Sequence, residues 1–483
     1  MMNQKSNVHL FIQGSALLIL SNICIKAINF FLLPLYTKNL TPAMLGVSDS
    51  ITTLTGILLP ILVLGLDSAY SAFYFDKEDG LRDKKVFSTI GFVFFLLGIV
   101  PLVICFFSKD IANILFHNSE YYKIVIIALV GITINLWYLP FSLELRLKNK
   151  MGRFGIASIL ASLTMIILNI LFVSILKLGE ISLTLSSFIV SIEYLILYCI
   201  FTGDFPKIKY FNKELLKEMF VFSLPLIPSV IMAWVLSLSD RYILLYYFGE
   251  SVVGLYGIGG RFVTLLNVII NAITTAYTTF AFGSKDEDNA KNNYYYIFNV
   301  VSIILIVIAF SVSIFSKEII SIMTDSSYLN SYTVIRDMMY GQVLFAMTTI
   351  VSYGIIFNKK SIFSLLSVST GAVVNLILNL IFIPKFGLKA AAFTTLIGYL
   401  VSFVVCYYFS EKLYPCKYGI LKIGIICIIG YIISYVTLEM NIIVRIVTWI
   451  IYCFGIIFLF HDVIFIIVEF VRKSLFKWAK NEN

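Results

Sequence analysis

Fourteen times along this chain an apolar run appears that is long enough to cross the hydrocarbon of a bilayer. The runs lie at about 9–36, 43–74, 86–107, 122–142, 154–176, 181–202, 219–248, 252–282, 294–316, 333–357, 362–383, 389–409, 419–438 and 442–470. In hydrocarbon no water is available to bond backbone N–H and C=O groups, so each run folds as a helix that satisfies its own. With 60% hydrophobic and 13% charged residues, a soluble protein of 483 residues would lack the polar surface to cover itself. The expected fold is therefore an all-α polytopic membrane protein of about 14 transmembrane helices. The first run follows Lys5, is too long for the core of a signal peptide, and has no small-residue cleavage site after it, so it reads as a retained span.

The net charge of +9 sits in short loops and not on a basic face, which argues against a nucleic-acid partner. With the N-terminus inside, 24 Lys and Arg fall on the cytoplasmic side and nine on the other. This asymmetry predicts both termini in the cytoplasm. No loop exceeds about twenty residues, so there is no room for a soluble catalytic domain. No HExxH, Walker loop or clustered metal ligands occur, and the three histidines lie far apart. Neither catalytic residues nor a metal site are expected. The seven cysteines are scattered without a CxxC pair and read as small apolar residues.

The chain also matches itself. "LTPAMLGV" (Leu40–Val47) aligns with "FGESVVGL" (Phe248–Leu255) at an offset of 208. "KLGEISLTLSSFIV" (Lys177–Val190) aligns with "KFGLKAAAFTTLIG" (Lys385–Gly398) at the same offset, and "LNILFV" (Leu168–Val173) with "LNLIFI" (Leu378–Ile383) at 210. The repeat unit holds six spans. Six is even, so the copies share one orientation and are related by an axis along the membrane normal. The expected domains are an N-lobe at 1–202, a basic cytoplasmic linker at 203–218, a C-lobe at 219–412, and appended spans thirteen and fourteen with a basic tail at 413–483. Two such lobes would enclose a cavity at their interface.

Three cations remain inside apolar spans: Lys26, Arg241 and Arg261. A charge at that depth faces a cavity or a partner. In the first span Asn22, Lys26 and Asn29 share one helical face, and Ser15 lies upstream. The eighth span carries Thr264, Asn267, Asn271, Thr274 and Thr278 as a second polar stripe, and the eleventh adds Asn375 and Asn379 one turn apart. Two readings stay open for the stripes: cavity lining, or hydrogen bonds between packed helices. Arg241, about seven residues before the Gly249–Glu250 turn, could line a cavity or snorkel to the membrane surface. Asp240 beside it is a candidate counter-ion, although adjacent helical residues point about 100° apart. Glu193, Asp49 and Asp67 read as structural hydrogen-bonding partners. Pro34, Pro60, Pro225 and Pro228 fall at the corresponding lobe-entry helices, where a broken backbone ladder permits a hinge.

Three segments carry a resemblance: "LLPLYTKNLTPAMLGV", "GLDSAYSAFY", and "FSLPLIPSV" followed by "LSDRYILLYYFGESVVGLYGIG". With them the chain resembles the Wzx-type polysaccharide flippases (O-antigen and capsule) of the multidrug/oligosaccharidyl-lipid/polysaccharide exporter superfamily, over essentially its whole length. The resemblance implies two six-helix lobes around a cavity, alternating access, and location in the bacterial cytoplasmic membrane. It implies a cargo of undecaprenyl-pyrophosphate-linked oligosaccharide repeat units. It implies no cofactor beyond a driving gradient of protons or sodium ions, and other polysaccharide-assembly membrane proteins as candidate partners. On this reading Lys26, Arg241 and Arg261 hold the pyrophosphate, and the amide and hydroxyl stripes suit the sugars. The alternatives are a cation-coupled multidrug exporter of the same superfamily and a membrane polymerase or ligase of envelope assembly. The three intramembrane cations repel cationic drugs, and the short loops disfavour an enzyme.

Overall fold

The computed structural model describes residues 30–75, 80–148, 150–285 and 289–462. Among them every regular element is helical, and twelve helices are long and apolar enough to cross a membrane. One of the twelve, Ile362–Leu413, has 52 residues and a non-helical Gly387 at φ 57°, ψ −131° inside it. Three residues before this bend stands Pro384, which cannot continue the backbone ladder. That single element therefore accounts for the two spans expected at 362–383 and 389–409. The first expected span lies outside the described residues except for its last few. The protein is an all-α polytopic membrane protein of about fourteen spans.

The helices that matter below are α1 (Leu33–Asn39), α2 (Pro42–Val63), α3 (Leu66–Tyr74), α4 (Arg82–Leu97), α5 (Tyr122–Leu147), α6 (Met151–Asn169), α7 (Ser182–Thr202), α8 (Lys213–Ser223), α9 (Ile227–Phe248) and α10 (Glu250–Gly283). Further on come α11 (Ala290–Ile314), α12 (Tyr332–Val351), α13 (Ile362–Leu413), α14 (Ile420–Thr437) and α15 (Ile442–Leu459). Large apolar side chains stand exposed along them, such as Ile443, Ile451, Phe454 and Phe458 on α15. Hydrocarbon accepts such a surface without cost.

The chain forms two compact units, Met1–Ile258 with Ile383–Gly387, and Gly259–Phe382 with Leu388–Asn483. The division falls inside α10, so the packing boundary and the repeat boundary at 203–218 are different places in the chain. The linker belongs to the first unit because it is fastened there. Lys207 N donates to Ser88 Oγ at 3.1 Å and Asn212 N to Thr89 Oγ1 at 3.1 Å, both on α4. Pro206 lies against Gly91, where a Cβ would come within 2.4 Å of its Cγ. Asn212 then caps α8, its side chain accepting from Leu215 N at 2.9 Å.

In the first unit two long spans are each broken once. Between α2 and α3 the chain passes through left-handed Leu64 (φ 55°) and Gly65 (φ 68°). Between α8 and α9 it makes a single 3-10 turn, Leu224–Leu226, with Pro225 inside and Pro228 just after it. The two breaks abut: a Cβ on Gly65 would lie 3.0 Å from the Ser223 carbonyl oxygen. Of the four prolines expected at hinges, Pro225 lies in a break, Pro228 follows it, and Pro60 lies within α2, one turn before the other break. Pro34 opens α1, where its missing N–H has no helical partner to lose.

At the other end of the same helices, α2 and α10 cross backbone to backbone. A Cβ on Gly46 would lie 1.8 Å from Glu250 O, and one on Gly254 would lie 2.0 Å from Pro42 O. Only glycine permits this approach. These are the two glycines that the 208-residue offset pairs with each other. Gly46→Ala or Gly254→Ala must push the helix ends apart, an overpacking cost of about 1–3 kcal/mol. Each is expected to lower the thermal midpoint in detergent by several degrees. Gly131→Ala, where a Cβ meets nothing within 4 Å, is expected to leave it unchanged.

Candidate functional site

α9 carries the charged pair of the first unit, and the helical twist sends its two members to different neighbours. Asp240, 2% exposed, accepts a short hydrogen bond from the Tyr256 hydroxyl on α10. Arg241 points toward α2, where its Nη1 donates to Thr53 Oγ1 at 3.4 Å. Thr53 is itself buried and donates to Asp49 O at 2.8 Å, which leaves its oxygen to accept from the guanidinium. Arg241 is thus turned into a helix seam.

The seam continues along α9. Trp234, Leu238, Arg241 and Tyr242 are spaced i, i+4, i+7 and i+8 and share one face. The Trp234 and Tyr242 rings lie 5.9 Å apart at 40°. Opposite them Gly56 on α2 has no side chain, so Leu238 and Trp234 approach to ordinary contact, 3.6 and 3.7 Å from where a Cβ would stand. Only about 10 Å³ of empty space remains between Gly56, Pro60, Val230, Trp234 and their neighbours. Trp234 Nε1, Arg241 Nε and the Tyr242 hydroxyl are buried with no hydrogen-bond partner among the described residues. Sequence reasoning found Arg241 but missed Thr53, Trp234, Tyr242 and Tyr256. The i, i+7, i+8 spacing around the arginine was the available signal for two of them.

In the second unit Arg261 is half-buried on α10. Below it Thr264 bonds back to Gly260 O at 3.0 Å, and Asn267 accepts a short bond from Gln342 Nε2 on α12. Asn271 is exposed, its carbonyl accepting from Thr274 at 3.2 Å and Thr275 at 2.7 Å. Thr278 pairs closely with the Tyr353 hydroxyl. Asn375 and Asn379 are fully buried: Asn375 Nδ2 donates to Thr395 Oγ1 at 3.2 Å, Asn379 Nδ2 to Asn375 Oδ1 at 2.9 Å, and Thr394 to Asn379 Oδ1. Here the asparagines bind the two halves of α13 to each other across the Gly387 bend. Lys26, Asn22 and Asn29 lie outside the described residues.

Two charged clusters went unread in the sequence. Glu144, in the last turn of α5, is 1% exposed; it accepts from the Tyr70 hydroxyl on α3 and pairs with Lys148 Nζ at 2.7 Å. Arg445 on α15 is 4% exposed. Its guanidinium grips both Glu318 oxygens and donates to Ile314 O at 3.1 Å. Beside it, outside the spans, Glu439 accepts from Lys317 at 2.9 Å and Tyr332 at 2.7 Å. These donors hold its carboxyl below the usual range. Among the described residues no group of three or more His, Cys, Asp or Glu could hold a metal ion.

A profile of the family described as "Polysaccharide biosynthesis protein" matches residues 38–333. The chain belongs to this family. An uncharacterized membrane protein of Methanocaldococcus jannaschii is 22% identical over 442 residues, covering 83% of this chain and 84% of the relative. Among solved structures, the lipid II flippase MurJ in an inward closed conformation superposes with a TM-score of 0.72 at 18% identity, covering 94% of this chain and all of that one. An inward-facing multidrug resistance MATE family transporter of the MOP superfamily gives 0.66 at 16% identity, covering 84% of this chain and 99% of the other. A MOP superfamily transporter from Pyrococcus furiosus gives 0.59 at 17%, covering 84% and 96%. At such identities the likeness shows the fold alone.

Among the newly found clusters, Glu144 makes the sharpest stability prediction. Replacing it with leucine leaves the buried Tyr70 hydroxyl facing an apolar side chain, while Lys148, 28% exposed, turns to water; a buried donor left without its acceptor costs about 1–3 kcal/mol. Glu144→Leu is expected to shift the thermal unfolding midpoint down strongly, and Glu144→Gln, which keeps an acceptor, by less than half as much.

Proposed function

We propose that this protein is a flippase that turns undecaprenyl-pyrophosphate-linked oligosaccharide repeat units across the cytoplasmic membrane by alternating access, for cell-surface polysaccharide biosynthesis. The observation that carries the reading is Arg241, a fixed cation held by Thr53 within the α2–α9 seam of a transporter fold. A permanently charged, planar group inside a span is costly unless it meets an anion in the working cycle. Its paired donors match phosphate oxygens. Arg261 and Lys26 are assigned the same task, and Thr264, Asn267 and Asn271 suit sugar hydroxyls. Membership in a polysaccharide biosynthesis family supports this cargo class, and the likeness to a lipid II flippase supports a lipid-linked one.

The same fold in multidrug exporters supports a second reading, cation-coupled drug export. The intramembrane cations weigh against it, since they repel cationic drugs. A proton or sodium gradient is the proposed driving force, and both termini are placed in the cytoplasm. In a cysteine-free background, thiol labelling of Lys150→Cys is expected only from inside and of Asn330→Cys only from outside; the reverse pattern overturns the topology.

The cargo assignment is tested by charge and by shape. Lys26→Gln and Arg261→Gln are expected to abolish surface glycan at unchanged protein level, and normal glycan from both would remove the anion-binding reading. Arg241→Lys separates a clamp from a surface anchor, because lysine snorkels equally well but lacks the bidentate fork. Flipping is expected to fall at least tenfold with abundance unchanged; full activity would return Arg241 to an anchoring role.

A further inference from the structure

The unused donors of the α2–α9 seam suggest a binding face beyond the single arginine; this rests on the flippase reading and names how its cargo is held. Trp234 Nε1, Arg241 Nε and the Tyr242 hydroxyl lie on one face of α9, each buried and without a hydrogen-bond partner among the described residues. A buried donor left without an acceptor is unfavourable, and three on one face is an unusual concentration. The set is also one-sided. The indole N–H and the guanidinium can only donate, and the phenol can donate. What complements such a face is a group rich in acceptor oxygens, and a pyrophosphate ester with its first sugar is one. The Trp234–Tyr242 ring pair adds flat apolar surface of the kind a pyranose ring packs on.

In this state α2 covers the face. The cover is close: Gly56, with no side chain, lets Leu238 and Trp234 pack against α2, and only about 10 Å³ is left open. Both covering helices are interrupted at one level, where Gly65 meets Ser223. A segment bounded by backbone breaks moves at less cost than an unbroken helix.

We propose that the seam between α2 and α9 parts during transport, and that Trp234, Arg241 and Tyr242 then bind the acceptor oxygens of the pyrophosphate-linked head group. Trp234 and Tyr242 are cargo-binding residues that determine specificity for an oxygen-rich head.

The experiment uses the full-length protein in detergent, with undecaprenyl pyrophosphate as the probe. Trp234→Phe and Tyr242→Phe each keep a ring and remove one donor. If the donors serve only packing, both changes relieve an unmatched group, leaving binding unchanged and thermal stability equal or higher. If they serve cargo, each weakens probe binding about tenfold while stability stays equal or rises. Unchanged binding, or weakened binding together with lowered stability, overturns the proposal. A second measurement tests the parting of the seam. With native cysteines replaced, Gly56→Cys and Leu238→Cys are bridged by a short bis-methanethiosulfonate reagent. Bound probe is expected to drop at least tenfold and to return on reduction; full binding to the bridged protein overturns the proposal. If the unmodified protein does not bind the probe, the flippase reading itself fails and the proposal with it. Failure confined to the variants leaves that reading standing.

Discussion

Everything in this molecule is arranged around one constraint: inside hydrocarbon a backbone amide or carbonyl has no partner except what the protein supplies. Long uninterrupted helices meet that demand, which makes each interruption informative. The first unit interrupts two spans, at Leu64–Gly65 and at Leu224–Leu226, and sets the two interruptions against each other. Irregular backbone at membrane depth is tolerated when protein covers it, and here each break helps to cover the other. The bend at Gly387 is stabilised differently, by the Asn375, Asn379, Thr394 and Thr395 side chains that join the flanking halves of α13.

The same constraint explains the traffic of charge. A bare cation or carboxylate is expensive in hydrocarbon, so each buried one has acquired neighbours. Arg445 takes a carboxylate and a helix-terminal carbonyl, Glu144 a lysine and a phenol, and Asp240 a phenol. Arg241 differs from Arg445 in kind. Both leave a buried Nε without a hydrogen-bond partner among the described residues, but the described hydrogen bond of Arg241 is a single long one to a threonine hydroxyl, where Arg445 grips a carboxylate. Arg445 looks like a group whose work is finished when the chain folds. Arg241 is the one that we propose meets an anion during transport.

Close backbone contact stands at one end of this seam. Gly46 and Gly254 bring α2 and α10 together more tightly than any side chain would allow. Between that crossing and the paired breaks, α2 and α9 touch through a glycine, a threonine and a few apolar groups.

Much of this was legible in the sequence. The length of the apolar runs determined helix count and membrane placement, because hydrocarbon thickness sets span length directly. The 208-residue repeat paired Gly46 with Gly254 before any contact between them was visible. Intramembrane charges announced Arg241 and Arg261. What a polar residue on a membrane helix touches was not legible, because lipid and protein interior are equally apolar and the hydrophobic period therefore marks no inward face. So the buried amide cluster of α13 and the α10 stripe looked alike, although one is fully buried and the other, bonded to Gln342 and Tyr353, is open at Asn271. Arg445 and Glu144 went unread, because only tertiary packing brings Glu318 and Tyr70 to them. The packing boundary inside α10 was equally hidden, since it depends on α8 and α9 lying along α2 and α3. The sequence by itself determined how many helices there are and where their charges sit along the chain. Which neighbour each charge meets was decided by the tertiary structure, because that depends on contacts between residues far apart in sequence.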